Sequence, residues 1–227
     1  MWWHADNSSY GLLLQGHAVS DTPQGPYQYV DSFRPLGNWS QDFGLFTDHE
    51  TKRSYALYSN GDRREGRDVY LTAYNEDITN LTEVVHRWDK YDLEAPSIVQ
   101  TDAGYFAIMS HKTGYRPNNV VAFRADNLTG PWSQPWIINP LNTRGWSSQS
   151  GNILSIRGSK KTTHLYLGDR VSLTMKADTT EKMLMLSSGT LMRTGKLRIS
   201  GCLSKSTPKR SILRYLGMMC TIWMCKC

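Results

Sequence analysis

The chain of 227 residues has no cysteine before Cys202, so its long N-terminal stretch holds neither a disulfide framework nor a thiolate metal site. No apolar run is long enough to cross a bilayer as a helix. Met1 is followed at once by Trp2-Trp3-His4, which does not read as a secretion signal. No amphipathic helix stands out between residues 1 and 170, where Pro and Gly interrupt every longer candidate. His, Cys and Asp do not recur at metal-ligand spacing, and Cys225-Lys226-Cys227 has no matching His pair, so no metal or cofactor is implied.

What is present is unevenly placed. The net charge of +6 belongs to one end: residues 1–170 carry 16 Lys+Arg against 18 Asp+Glu, while 171–227 carry 10 against 2. All four cysteines and seven of the nine methionines lie in that second part, which has only Tyr215 and Trp223 as aromatics. The chain therefore divides into residues 1–170, large enough for a sizeable core, and a basic tail over 171–227 that is expected to be poorly ordered. Lys205, Lys209, Arg210 and Arg214 form a loose cluster without interleaved aromatics, so neither a nucleic-acid nor a membrane partner is expected. The tail reads as a retained intron or shifted frame, because Val171-Ser172 can be encoded by GTGAGT, a common splice-donor string. Four sequons, at Asn7, Asn38, Asn80 and Asn127, fit an extracellular, secreted parent that has lost its leader.

The first part repeats itself. Met1-Trp2-Trp3-His4-Ala5-Asp6, Ser54-Tyr55-Ala56-Leu57-Tyr58-Ser59, Tyr105-Phe106-Ala107-Ile108-Met109-Ser110 and Thr163-His164-Leu165-Tyr166-Leu167-Gly168 are short aromatic and apolar strands ending in small or polar residues. They start at intervals of roughly 50 to 60 residues, the length of a four-stranded propeller blade. Polar loops precede the last three, at Asp48–Lys52, Thr101–Gly104 and Arg157–Lys160, as hairpins require. Asp68–Tyr74 alternates in the strand manner. A second repeat pairs Gly25-Pro26-Tyr27 with Gly130-Pro131-Trp132, each preceded at the same distance by an Asp, as a turn that delivers an aromatic into the next strand. The expected class is all-β, with blades around a central channel.

Glu94 in Leu93-Glu94-Ala95-Pro96 is the leading candidate for chemistry. Proline fixes its own φ and pushes its neighbour toward extended geometry, which would aim Glu94 from a strand entrance as a general acid requires. The competing reading is a surface Glu at a strand edge.

Two further strings stand at similar distances from their blade strands: Asn38-Trp39-Ser40-Gln41-Asp42-Phe43-Gly44 and Gly145-Trp146-Ser147-Ser148-Gln149. With Trp3-His4-Ala5-Asp6, the two Gly-Pro turns, Leu93-Glu94-Ala95-Pro96, Ser110-His111 and Gly168-Asp169-Arg170, they make residues 1 to about 170 resemble glycoside hydrolase family 43, most closely its exo-β-1,3-galactanase branch. The resemblance implies a five-bladed β-propeller, here a partial one without its first blade and closing strands. It implies exo-hydrolysis of the β-1,3-galactan of arabinogalactan with inversion, by a monomer acting on a polysaccharide or oligosaccharide. Glu94 then matches the general acid, Asp42 the aspartate that keeps that acid protonated and orients it, and Gln149 the residue that holds the attacking water.

Each assignment has an alternative in the residues themselves. Gln149 as a neutral amide is a poor base and can instead bond a neighbouring blade. Trp146 and Trp39 can stack on sugar faces or pack between blades, and Asp6 and Arg170 belong to the resembling strings as substrate-binding candidates. His4 and His111 read as structural histidines. An arabinofuranosidase or xylosidase of the same family, or a noncatalytic sugar-binding propeller, remain open readings. The resemblance also has gaps: no substrate-binding Glu precedes Trp2, and no Trp follows Gly168-Asp169-Arg170.

Overall fold

In the computed structural model the described residues are 1–61, 68–114, 116–159 and 162–170, with backbone alone described for Trp146, Asp169, Arg170 and three short strands at 182–185, 190–191 and 197–198. The remainder of the tail, and Lys160 in the last expected hairpin loop, lie outside them.

The chain runs as successive antiparallel meanders, each sheet in chain order without crossovers. The first holds β1 (Trp2–Ala5), β2 (Leu14–Val19) and β3 (Gln28–Phe33). The second holds β4 (Phe43–Thr47), β5 (Ser54–Ser59), β6 (Val69–Tyr74) and β7 (Leu81–Trp88), and the third β8 (Leu93–Thr101), β9 (Gly104–His111), β10 (Val120–Ala125) and β11 (Trp136–Ile137). The fourth contains β12 (Ser148–Arg157), β13 (Thr162–Arg170) and β14 (Lys182–Met185); β15 (Thr190–Leu191) pairs with β16 (Leu197–Arg198). Among the described residues helix is confined to α1 (Arg144–Ser147) and a single 3₁₀ turn at Pro35–Gly37. The all-β expectation therefore holds, and the strands expected at 54–59, 68–74, 105–110 and 163–168 stand within two residues of their observed bounds.

The central strands explain why the sequence shows so little polar alternation. Every residue of β6 is buried, and so are five of the six in β5. Successive side chains point to opposite faces of a strand, and here both faces are covered by another sheet. Tyr55 and Leu57 of β5 join a cluster with Ile98, Ala107 and Met109 of the third sheet. Ala56 and Tyr58, from the alternate positions, pack with Trp2 and Phe33 of the first. The third sheet divides its residues likewise, Ile108 turning to Tyr166 and Ile153 of the fourth. Aromatic contacts reinforce each seam, with Trp2 and Tyr74 at 4.9 Å between ring centroids and Trp88 and Trp132 at 5.0 Å.

The two expected Gly-Pro turns are built alike. Gly25 and Gly130 both take φ of 89°, a left-handed value that glycine adopts without strain, and their N–H groups donate to Thr22 O and Asn127 O at 3.0 and 2.9 Å.

At the far ends of β4 and β8, one carboxylate ties the second sheet to the third. Asp48 accepts hydrogen bonds from Tyr105 Oη at 2.5 Å and from the backbone N–H groups of Glu50 and Thr51 at 2.8 and 2.7 Å. His49 N–H donates to Gln100 Oε1 at 2.7 Å across the same junction. Burial raises the Asp48 pKa, but the hydrogen bonds from Tyr105, Thr51 and Glu50 outweigh it and leave the carboxyl below its ordinary 3.8. A depressed carboxylate stabilises the fold above its unfolded pKa, and that contribution disappears as pH falls through the folded value. The Tyr105→Phe variant should therefore lose roughly 1.5–3 kcal/mol at pH 7, as expected for a hydrogen bond to a charged group. Denaturant midpoints measured from neutral pH to below 3.8 should show that gap closing at the acid end; a gap independent of pH would contradict this account.

Candidate functional site

The near ends of the inner strands converge on a cleft of about 380 Å³, within the ~300–1,000 Å³ typical of small-molecule sites. The first sheet contributes Trp2, Trp3 and His4; the approach to β4 contributes Gln41, Asp42 and Phe43. Ala95 and Pro96 enter from β8, and Gln149, Ser150 and Gly151 from β12.

Glu94 lies immediately before the β8 part of this lining and is 8% exposed, so the surface-edge reading does not apply. Its backbone differs from the expectation drawn from Pro96. Ala95 has φ of 51° rather than extended geometry, and the register slips between Glu94 opposite Ser110 and Ser97 opposite Ile108. This is a β-bulge, one extra residue that re-aims its neighbours. Extended geometry at Ala95 would have continued the ladder; the bulge breaks it at the residue after Glu94.

Two contacts hold the bulge. The Asp42 carboxylate accepts the Ala95 N–H at 2.9 Å across 53 residues of sequence, supplying the acceptor that the interrupted ladder does not. Gly44 of β4 lies directly beneath, where a Cβ would stand 2.6 Å from Pro96 O. Only glycine lets β4 approach the bulge this closely. Asp42 is itself fixed, since its N–H donates to Ser59 Oγ at 3.3 Å and its carbonyl accepts Ser59 N–H at 3.2 Å.

Gln149 sits on β12 opposite Asp169. Its neighbour Ser150 donates its N–H to Ser110 Oγ at 2.7 Å, and Ser110 is the residue paired with Glu94. A second bulge follows between Ser150 and Asn152. The structure thus brings Asp42 and Gln149 into one cleft lining, while Glu94 stands just outside it, one residue before Ala95 and tied to its neighbours by two inter-sheet hydrogen bonds at the bulge.

The other candidates are placed differently. Trp39 lies on the approach to β4 outside the cleft lining, with the Arg34 guanidinium 5.2 Å above its ring. Asp6 also lies outside the lining; its carboxylate accepts from Asn7, Leu12 and Leu13 N–H at 2.8, 2.8 and 3.2 Å and pairs with His4 Nε2 at 3.0 Å. Burial raises the Asp6 pKa, but the bonds from Leu12, Asn7, Leu13 and His4 leave it lowered overall, so Asp6 organises the turn between β1 and β2. Trp146 is on α1, just before β12, and Arg170 ends β13 opposite Ser148. His111 closes β9 opposite Leu93. Among the described residues no three His, Cys, Asp or Glu side chains cluster to hold a metal, and no helix is long and apolar enough to cross a membrane.

One feature of the site escaped the sequence reading. Lys112 is only 7% exposed, and its Nζ donates to Gln41 Oε1 at 2.9 Å. Nothing local marks Lys112; the one available hint is that it follows His111 at a strand end near the channel.

The chain matches the model of the Glycosyl hydrolases family 43 over residues 3–186. Among solved structures it is similar to the exo-β-1,3-galactanase of Phanerochaete chrysosporium with galactose, at TM-score 0.75 and 34% identity over 88% of this chain and 44% of that one. A glutamate-to-glutamine variant of that enzyme with β-1,3-galactotriose gives TM-score 0.75 and 33% identity, with the same 88% and 44% coverage. An exo-β-1,3-galactanase from Clostridium thermocellum matches at TM-score 0.74 and 24% identity, over 84% of this chain and 42% of that one, which is a likeness of fold. These relatives are β-propellers, and the chain spans less than half of each. No curated protein sequence matches it significantly.

Proposed function

Because the chain belongs to glycosyl hydrolases family 43, we propose that it carries the acid-bearing face of an exo-acting β-1,3-galactan hydrolase that inverts the anomeric centre. Its meander sheets are read as blades of a five-bladed propeller, residues 1–170 forming the blade-bearing part and 171–227 a tail whose β14 pairs with the edge of the fourth sheet. The observation that supports this best is the Asp42 carboxylate bonded to the residue after Glu94, on a cleft that also receives Gln149.

Glu94 donates its proton to the glycosidic oxygen as the bond to the anomeric carbon breaks. Water attacks that carbon from the opposite face and forms the new C–O bond, its proton passing to the nitrogen of Gln149 in the imidic-acid form; the protonated amide then loses a proton to solvent, and the Glu94 carboxylate regains one from solvent. Inversion requires about 6.5–9.5 Å between the acid and the group holding the water. Asp42 acts as the residue that orients the acid, by accepting the Ala95 N–H and so fixing the bulge that follows Glu94. Trp146 and Arg170, near the ends of β12 and β13, are proposed to meet the sugar, whereas Trp39 and Asp6 stand outside the cleft lining.

Incubating the protein with β-1,3-galactan should release free galactose as the α-anomer. Arabinose or xylose release without galactose would move the assignment to another activity of the family, and binding without turnover would mark a sugar-binding module.

A further inference from the structure

A lysine this buried is rare unless its charge is met, and Lys112 is set firmly in place. Its backbone N–H donates to Asp92 O at 2.8 Å, and its ammonium reaches Gln41, 71 residues earlier in the chain. An ammonium carries donors and no acceptor, so the Gln41 amide must present its oxygen to it. The orientation of a glutamine amide is ordinarily ambiguous between oxygen and nitrogen; Lys112 removes that ambiguity. The oxygen is taken up behind the cleft wall, and the other arm of the planar amide is –NH₂.

The rest of Gln41 has little freedom. Its N–H donates to Ser59 O at 2.8 Å, and it packs against Gly61, where a Cβ would stand 3.3 Å from Oε1. The side chain lies between that backbone and the ammonium, on the cleft, one residue before Asp42. Among the described residues Nε2 donates to no protein acceptor. A fixed amide with two unused donors beside a carboxylate suits one class of ligand, a sugar hydroxyl that accepts from the amide.

We infer that Gln41 is a substrate-positioning residue whose –NH₂ donates to a hydroxyl of the sugar in the cleft, and that Lys112 acts through it by fixing the amide's orientation. This rests on the reading of the cleft as a galactoside site. It adds a specificity element that recognises hydroxyl placement and does not take part in proton transfer.

The test uses the full chain, with initial rates of galactose release from β-1,3-galactotriose and equilibrium binding followed by tryptophan fluorescence. Gln41→Ala and Lys112→Met should each raise KM and Kd about 3- to 10-fold, the range for one neutral hydrogen bond, with kcat changed less than KM. The double variant should be no worse than Gln41→Ala, because both substitutions remove the same contact. Gln41→Glu keeps an oxygen for Lys112 and offers the sugar hydroxyl an acceptor in place of the –NH₂, so it should remain as thermally stable as the parent and bind more tightly than Gln41→Ala. Unchanged KM in Gln41→Ala, or additive losses in the double variant, would overturn the inference and leave the proposed hydrolase standing if the parent still releases galactose. A parent chain that neither binds nor cleaves galactotriose overturns both.

Discussion

Replacing Glu94 with Gln should lower galactose release from β-1,3-galactan by about 10²–10⁴-fold, the usual worth of a positioned general acid. The substitution is close in volume, so a residue that is 8% exposed remains packed and binding of galactotriose should persist. The sharper readout is the leaving group. A galactosyl alcohol leaves as an alkoxide unless protonated, whereas nitrophenolate leaves without help. With a nitrophenyl galactoside the loss should therefore shrink to a small factor. An equal loss on both substrates would mean that Glu94 serves the fold or the binding step, and the proton would have to come from elsewhere.

Asp42 should show the next largest effect, and its two variants separate two roles. Asp42→Asn keeps an oxygen to accept the Ala95 N–H but replaces the carboxyl group; Asp42→Ala removes both the carboxyl group and the acceptor. The alanine variant also leaves a backbone donor without its partner, at a cost of about 1–3 kcal/mol. Activity should fall in the order parent, Asn, Ala, with the Asn variant down about 10- to 100-fold, within the range of an acid–base contribution. On the proposal that Asp42 acts through the acid, adding Asp42→Asn to Glu94→Gln should cost little more than Glu94→Gln alone. Losses that multiply in the double variant would show Asp42 contacting the substrate independently. Rates and unfolding midpoints for the four proteins decide the matter.

How far the sequence leads can be judged from particular residues. The strand Ser54–Ser59 was readable because its aromatic and apolar run is bounded by polar turns, a local signal. The turns at Gly25 and Gly130 were readable because glycine at left-handed φ followed by Pro leaves the same local mark twice. Glu94 stands out by its local string and the resemblance adds Asp42 and Gln149, but the contacts that bring Asp42 to the residue after Glu94 and Ser150 to the residue paired with it span 53 and 40 residues. Ala95 was misjudged because the rule for a residue preceding proline describes an isolated chain. In the protein, the Asp42 hydrogen bond and the close approach of Gly44 favour a different conformation. Lys112 went unnoticed because a single cation at a strand end has no periodicity, and its partner lies on another sheet.

The division of each central strand between two seams has a consequence for sequence change over time. Among the described residues Leu57 packs in the cluster shared with the third sheet and Ala56 in the cluster shared with the first, although the two are adjacent in the chain. A smaller residue at 57 can be compensated at Ile98 or Met109, but by nothing in the first sheet. Substitutions among relatives should therefore covary in two independent sets that alternate along one strand, each set linked to a different neighbour. Drift at one seam can then proceed without disturbing the other, including the seam that carries Trp2 to the cleft.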